Sequence, residues 1–289
     1  MRTITLVCLP VLFVLLNACK VTKHEAIKHE PALTTMGYPF AYADTSGNTY
    51  LRELRDGHDL TTVVAGATSD RERALRVLDW TNRQWKGHGK KLPTSSDALT
   101  ILEEADSGRK FRCVEYSTVA SAALSSLGMP SRRLGLKKKT VETAVAGGGH
   151  MVTEVWLADE SKWAVLDGEF NLMPVVNGKA LNALEFKRAL QSDQSIAFVS
   201  GAGPVKSTRQ KRYLDFIERY LYYFNVRFDE RKLPEPFERV AWEGKTQLML
   251  VPKGAPEPTR FQRKRPMDKF IYTRSVADFY AAPRLAVKK

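Results

Sequence analysis

Residues 112–136 read RCVEYSTVASAALSSLGMPSRRLGL, and residues 147–168 read GGGHMVTEVWLADESKWAVLDG. The first stretch predicts a helix starting at Cys113. Ala120, Ala123, Leu124 and Leu127 take the i, i+3, i+4, i+7 spacing of a buried face. Most other positions are Ala or Ser, which let neighbouring elements approach closely. Gly128 stands where a C′ glycine ends a helix, and Pro130 blocks its continuation. A short strand follows over residues 132–136. The second stretch predicts a hairpin: a strand over 150–157, a turn over 158–162, and a returning strand over 163–166 that ends at Asp167-Gly168. Between the two stretches, residues 137–149 begin Lys137-Lys138-Lys139 and end Gly147-Gly148-Gly149. Three glycines free the backbone there, as a plain hairpin loop or as a mobile flap beside a cleft.

Working outward, Ser69 and Glu72 make a capping-box pattern with Asp70 in the first turn. Leu75, Leu78 and Trp85 follow at helical spacing, and Gly87 and Gly89 end that helix. Residues 95–105 predict a second helix, capped by Ser95 or Ser96, with Leu99, Leu102 and Ala105 inward. Residues 69–167 therefore read α-α-α-β-β-β, an α+β class with helices packed on an antiparallel β-sheet. Further helices are expected over 180–190 and 213–224. The latter is striped by Tyr213, Phe216, Ile217, Tyr220, Leu221 and Phe224, an aromatic pattern that belongs in a core. Strands are expected over 225–228 and 247–251. Residues 252–289 are basic and punctuated by proline, as an arm lying over the domain would be. Lys206, Arg209, Lys211 and Arg212 read as a solvated face.

The N-terminus has the pattern of an export signal. Arg2 precedes an apolar run over residues 4–16. That suits a secretory core of about 7–15 residues and is shorter than the ~20 needed to span a bilayer. The run ends Leu16-Asn17-Ala18-Cys19, similar to a bacterial lipobox, which implies cleavage before Cys19 and its acylation. The expected division is a signal over 1–18, a tether and irregular segment over 19–60, a core over 61–204, and a C-terminal helix and strand extension with the basic arm over 205–289. The chain would sit on the bacterial cell membrane or outer membrane through its lipid.

The net charge is +13, or +12 once Arg2 is removed. Such a surface draws anionic partners, here anionic envelope components. Export disfavours nucleic acid, and no DNA- or RNA-binding motif is present. Of three cysteines, Cys8 leaves with the signal and Cys19 carries lipid, so Cys113 is the remaining thiol. It has no disulfide partner in an oxidising compartment, so it is either a buried apolar residue or a reagent.

A thiol attacks a carbonyl as its thiolate, and a free thiol has a pKa of about 8.5. A helix N-terminus and a neighbouring imidazolium both favour the anion. His150 opens one strand and Asp167 closes its neighbour, so a tight hairpin sets them side by side as base and orienting carboxylate. The Cys113 backbone N–H could serve a tetrahedral oxyanion. Trp85 is a candidate second donor, against the plainer reading of a core aromatic. His88, in a Lys-Gly-His-Gly-Lys loop, reads as a solvated side chain.

Arg112-Cys113, then 127–132 as Leu-Gly-Met-Pro-Ser-Arg, then His150 with Glu154, then 163–167 as Trp-Ala-Val-Leu-Asp, resemble the transglutaminase-like superfamily. The resemblance covers about residues 65–175. It implies a papain-related fold with Cys113 as nucleophile, His150 as base, Asp167 as orienting residue and Glu154 as a structural position. Val152 departs from the pattern, standing where a Trp is usual. The expected activity is acyl transfer through a Cys113 thioester on a protein or peptide, cell-wall peptide among the choices, with hydrolysis slightly favoured over cross-linking. No metal or other cofactor is expected. The alternative is a non-catalytic envelope lipoprotein that keeps the fold as a binding module.

Overall fold

A computed structural model describes residues 27–29, 35–43, 45, 47–232 and 237–284. The expected signal, Cys8 and the acylation site Cys19 lie outside the described residues. Five helices come first: α1 Thr49–Gly57, α2 Leu60–Val63, α3 Asp70–Arg83, α4 Ala98–Asp106 and α5 Cys113–Ser126. Strands β1 Ser131–Lys137, β2 Gly149–Leu157, β3 Lys162–Leu166, β4 Met173–Val176 and β5 Lys179–Ala180 follow. Next come α6 Ala183–Gln191, β6 Ala197–Val199, α7 Ser207–Ile217 and a 3-10 turn Glu218–Tyr220. The chain continues through β7 Tyr223–Arg227, β8 Gln247–Leu250, β9 Arg260–Phe261, β10 Arg265–Pro266, β11 Phe270–Thr273 and α8 Val276–Phe279. No helix among the described residues is long and apolar enough to cross a membrane.

The α-α-α-β-β-β order holds over α3 to β3, and the class is α+β. The main sheet has six strands in the order β11-β8-β7-β1-β2-β3. Alternation along each strand sends side chains to two cores. On one face Val155, Leu157, Ala164 and Leu166 pack with α3, α4 and α5. On the other, Leu134, Leu136, Val152 and Val165 pack with residues of α6, α7, β7 and β8. Val152 is thus a core residue.

Four expectations change. Residues 49–57 are helical within the segment expected to be irregular: Asn48 caps them by accepting from Leu51 N, and Leu51 and Leu54 are buried. The helix expected over 213–224 begins at Ser207 and gives way to β7, because Phe224 and Asn225 pair with Leu136 and Gly135 of β1. Cross-strand pairing and burial here override a helical spacing of apolar residues. The described part of the C-terminal extension does more than lie over the domain as an arm: β7, β8 and β11 form half of the main sheet, covering the β1 edge. Strand β11 runs parallel to β8, so the sheet is mixed. At a finer scale, Asp97 rather than Ser95 or Ser96 caps α4, accepting from Thr100 N at 2.9 Å.

One ion pair ties these layers. Arg132 and Glu154 are direct partners across β1 and β2. Arg132 is 1% exposed and Glu154 fully buried. The guanidinium donates to Glu154 Oε2 from Nε at 3.0 Å and from Nη2 at 2.7 Å. Its Nη1 donates to Phe279 O at 2.8 Å, and the group lies 4.3 Å from the Trp163 ring. Glu154 Oε1 accepts from Ala183 N and from Tyr280 Oη, each at 3.2 Å. The pair therefore joins β1, β2, β3, α6 and the chain after α8.

Removing one partner strands a buried charge. Arg132→Met should lower unfolding free energy by about 3–5 kcal/mol, and adding Glu154→Leu should recover most of it. Urea denaturation of the two variants measures both effects; a harmless single substitution would refute this account of the pair.

Candidate active site

Cys113 is the first residue of α5. Glu115 fixes that start: its Oε2 accepts from Arg112 N at 3.0 Å, and its Oε1 pairs with the Arg112 guanidinium at 2.8 Å. Farther along, Ser117 Oγ donates to Val152 O at 2.7 Å, and Ser131 Oγ to Ser121 O, also at 2.7 Å. The small residues read from the sequence thus let α5 lie directly on β1 and β2.

Strand β2 places His150 at the site, and β3 leads into a turn that places Asp167. His150 Nε2 lies 2.8 Å from Asp167 Oδ2, with both residues buried. The turn is held on all sides. Asp167 Oδ1 accepts from Phe170 N at 3.2 Å, and Asn82 Nδ2 of α3 donates to Gly168 O and Glu169 O at 2.9 and 3.0 Å. A Cβ on Gly168 would stand 3.2 Å from Tyr116 Cβ, so its absence lets the turn settle on the cysteine helix.

With Nε2 committed to Asp167, Nδ1 is the nitrogen left for the thiol. Cys113 sulfur, a His150 ring nitrogen and a Glu169 carboxylate oxygen all lie within 4.8 Å of one another. Cys113 is partly exposed, so a substrate can reach it. Burial disfavours the imidazolium, but the Asp167 charge, its hydrogen bond and Cys113 outweigh burial and push the His150 pKa up to about 10.

Several residues here were not read as site residues. Tyr213 Oη donates to Asp167 Oδ2 at 2.9 Å. Burial first, and then the Asp167 charge, hold the Tyr213 phenol well above its ordinary pKa, which keeps it a donor. Phe216 and Tyr220 place their rings 5.2 and 5.8 Å from the imidazole, and Phe170 stands 6.1 Å away. The aromatic stripe expected in the core is half core and half wall of the site. Glu169, two residues after Asp167, brings a second carboxylate, and His88 Nδ1 lies 2.9 Å from it. His88 is exposed, as expected, yet it reaches the site.

Trp85 is buried in the helical core, its ring 4.2 Å from Tyr116 and 5.3 Å from Phe111. Its Nε1 is buried and has no hydrogen-bond acceptor among the described residues. The 137–149 loop is tied down: Gln262 N donates to Val141 O at 2.9 Å, and Glu142 Oε1 accepts from Thr259 N at 2.7 Å. Cys113, His150 and Glu169 also form a group whose donors suit a metal ion. Binding one would occupy the thiolate and imidazole lone pairs.

Residues 59–168 match the family model described as the transglutaminase-like superfamily. No curated protein matches the chain in sequence. Among solved structures, a candidate cysteine protease from Cytophaga hutchinsonii aligns with TM-score 0.33 and 13% identity, over 43% of this chain and 40% of that one. Red sea bream transglutaminase aligns with TM-score 0.30 and 10% identity, over 63% of this chain and 44% of that one. The chain therefore spans less than half the length of each of these two relatives.

The raised His150 pKa makes stability depend on pH with a definite sign. Protonated His150 stabilises the fold fully below its unfolded pKa of about 6.5, and that contribution is lost as pH rises through about 10. The stability advantage of wild type over His150→Gln should thus shrink by several kcal/mol between pH ~6.5 and ~10. Chemical denaturation across that range checks it; a constant difference would refute it.

Proposed function

Starting from a chain whose residues 59–168 are a transglutaminase-like domain, we propose that it is a cysteine-dependent acyl-transfer enzyme acting on peptide or amide bonds. The observation that carries the proposal is the alignment of thiol, imidazole and buried carboxylate, with His150 Nε2 fixed on Asp167 at 2.8 Å. In this reading Cys113 Sγ attacks the carbonyl carbon as a thiolate, opposite the His150 imidazolium. The developing oxyanion takes hydrogen bonds from Cys113 N–H and Trp85 Nε1–H, the latter a buried donor with no other acceptor among the described residues. His150 then gives its proton to the leaving amine, and the C–N bond breaks to leave a thioester. An acceptor attacks the thioester while His150 takes its proton, and the thiolate leaves. Asp167 and Tyr213 act as positioning residues, holding the imidazole in one orientation.

Water as acceptor makes the enzyme a peptidase or amidase, and we favour it. One observation favours an amine instead: the Glu169 carboxylate beside the thiol would attract an ammonium group. The proposed setting is the bacterial envelope, with the chain anchored through acylated Cys19 and acting on envelope protein or cell-wall peptide. Mass spectrometry of the mature N-terminus tests the anchor; an unmodified or differently cleaved terminus sinks it.

Alkylation separates an enzyme from a binding module. At mildly acidic pH Cys113 should react with iodoacetamide faster than a model thiol, and His150→Ala should remove the difference. Equal rates in all three would leave only the non-catalytic reading.

Trp85→Phe keeps the ring and removes the N–H. Turnover of an acyl substrate should fall about 10²–10³-fold, while iodoacetamide alkylation, which forms no oxyanion, should hold its rate. Unchanged turnover would return Trp85 to the core alone.

A further inference from the structure

Away from the thiol, the fold contains an arrangement that costs stability. Asn225 pairs with Gly135, and Phe224 with Leu136, across antiparallel β7 and β1. Two residues beyond the Gly135–Asn225 pair, Arg133 and Arg227 line the same pocket. Like charges in that relation repel. Arg227 makes no ion pair or hydrogen bond with a carboxylate among the described residues, and the Arg133 charge first, then desolvation, against Glu230 and Asp229, pull its pKa down to about 10, although part of the side chain is exposed to solvent.

The two arginines are not alone. They line a pocket of about 400 Å³ with Arg231, Lys232 and Arg239, closed by Thr118 of α5 and by Ser95 and Ser96 before α4. Local carboxylates meet only part of the charge on Arg133, Arg227, Arg231 and Lys232. Asp229 is engaged by Arg231 at 2.7 Å. Glu230 is shared between Lys232 at 3.3 Å and Arg133 at 3.7 Å. Asp97 is committed to the α4 cap. Arg133 Nη1 bonds Thr118 Oγ1 at 3.2 Å, while its buried Nε faces Glu230 Oε2 at 3.7 Å, beyond hydrogen-bond range. A second pocket of about 240 Å³ shares Arg227, Asp229 and Arg239 and adds Lys269.

We propose that this pocket binds a phosphate-bearing ligand of diphosphate size, whose oxygens bridge Arg133 and Arg227 and accept from the serine hydroxyls at the rim. Planar guanidinium groups lining one pocket suit the bidentate geometry of phosphate oxygens. The adjoining pocket, with Lys269, provides for the remainder of a longer molecule. The ligand's phosphate could belong to a soluble compound or to a lipid headgroup; the recognising chemistry is the same.

The test uses inorganic pyrophosphate as probe and thermal unfolding and calorimetry as readouts, with sodium chloride at matched ionic strength as control. Without ligand, Arg227→Gln should raise Tm by about 1–3 °C by relieving the repulsion. Pyrophosphate should raise the wild-type Tm beyond the chloride control, and Arg227→Gln should weaken its binding about tenfold or more. Cys113→Ala should bind as wild type does, which separates this site from the proposed active site. Sedimentation with phosphatidylcholine vesicles, with and without phosphatidic acid, distinguishes the sources. Vesicle binding displaced by pyrophosphate indicates a headgroup, and pyrophosphate binding without vesicle binding a soluble ligand. The proposal is overturned if pyrophosphate does no more than chloride, if Arg227→Gln binds it equally well, or if that substitution lowers Tm in its absence.

Discussion

The buried pairing of Arg132 with Glu154 sets the register on which the rest of the molecule depends. Side chains alternate along a strand, so a one-residue slip of β1 on β2 would turn every residue of β2 to the opposite face. Glu154 would then enter the helical core without its arginine, at a cost of several kcal/mol. Held in register, residues 150, 152 and 154 share one face. The charge at one end of β2 thereby decides where His150 points at the other. The same pair holds Trp163, Ala183 and Tyr280 in place, so late parts of the chain are anchored to the strand that carries the imidazole.

A second constraint acts at the site. A carboxyl group as buried as Asp167 needs its oxygens satisfied, and His150, Tyr213 and the backbone of its own turn do so. Those donors also orient the imidazole, because a ring bonded through Nε2 and walled by Phe216 and Tyr220 has little freedom left. Satisfying the buried charge and preparing the thiol's partner are thus one arrangement. The site is assembled from α5, β2, the turn after β3, and α7, which span most of the fold.

Charge is handled differently on the opposite face. Arg132 has Glu154 to itself, whereas Arg133, the next residue, shares Glu230 with Lys232 and lines a pocket with Arg227. Two neighbours on one strand therefore illustrate two treatments of a cation: one with a carboxylate of its own, and one that shares its carboxylate with Lys232.

Much of this was legible in the chain. Cys113 at a helix start, His150 at a strand start and Asp167 at a strand end follow from local periodicity and terminators, because helix and strand signals reside in a few adjacent residues. The same signals yielded three helices followed by three strands. Local pattern misled where long-range pairing decided the outcome. Tyr213 to Phe224 carries a helical spacing, yet Phe224 pairs with Leu136, 88 positions earlier. The Pro-rich basic tail has no strand signature strong enough to show that β11 completes the sheet. Tyr213 as a donor to Asp167, Glu169 beside the thiol, and Arg227 in one pocket with Arg133 are juxtapositions between distant segments, which no single-segment pattern can express. The sequence alone determined the reactive residue types and the elements that begin or end at them. Tertiary structure alone decided which groups surround them, because register and burial are properties of paired segments rather than of either one.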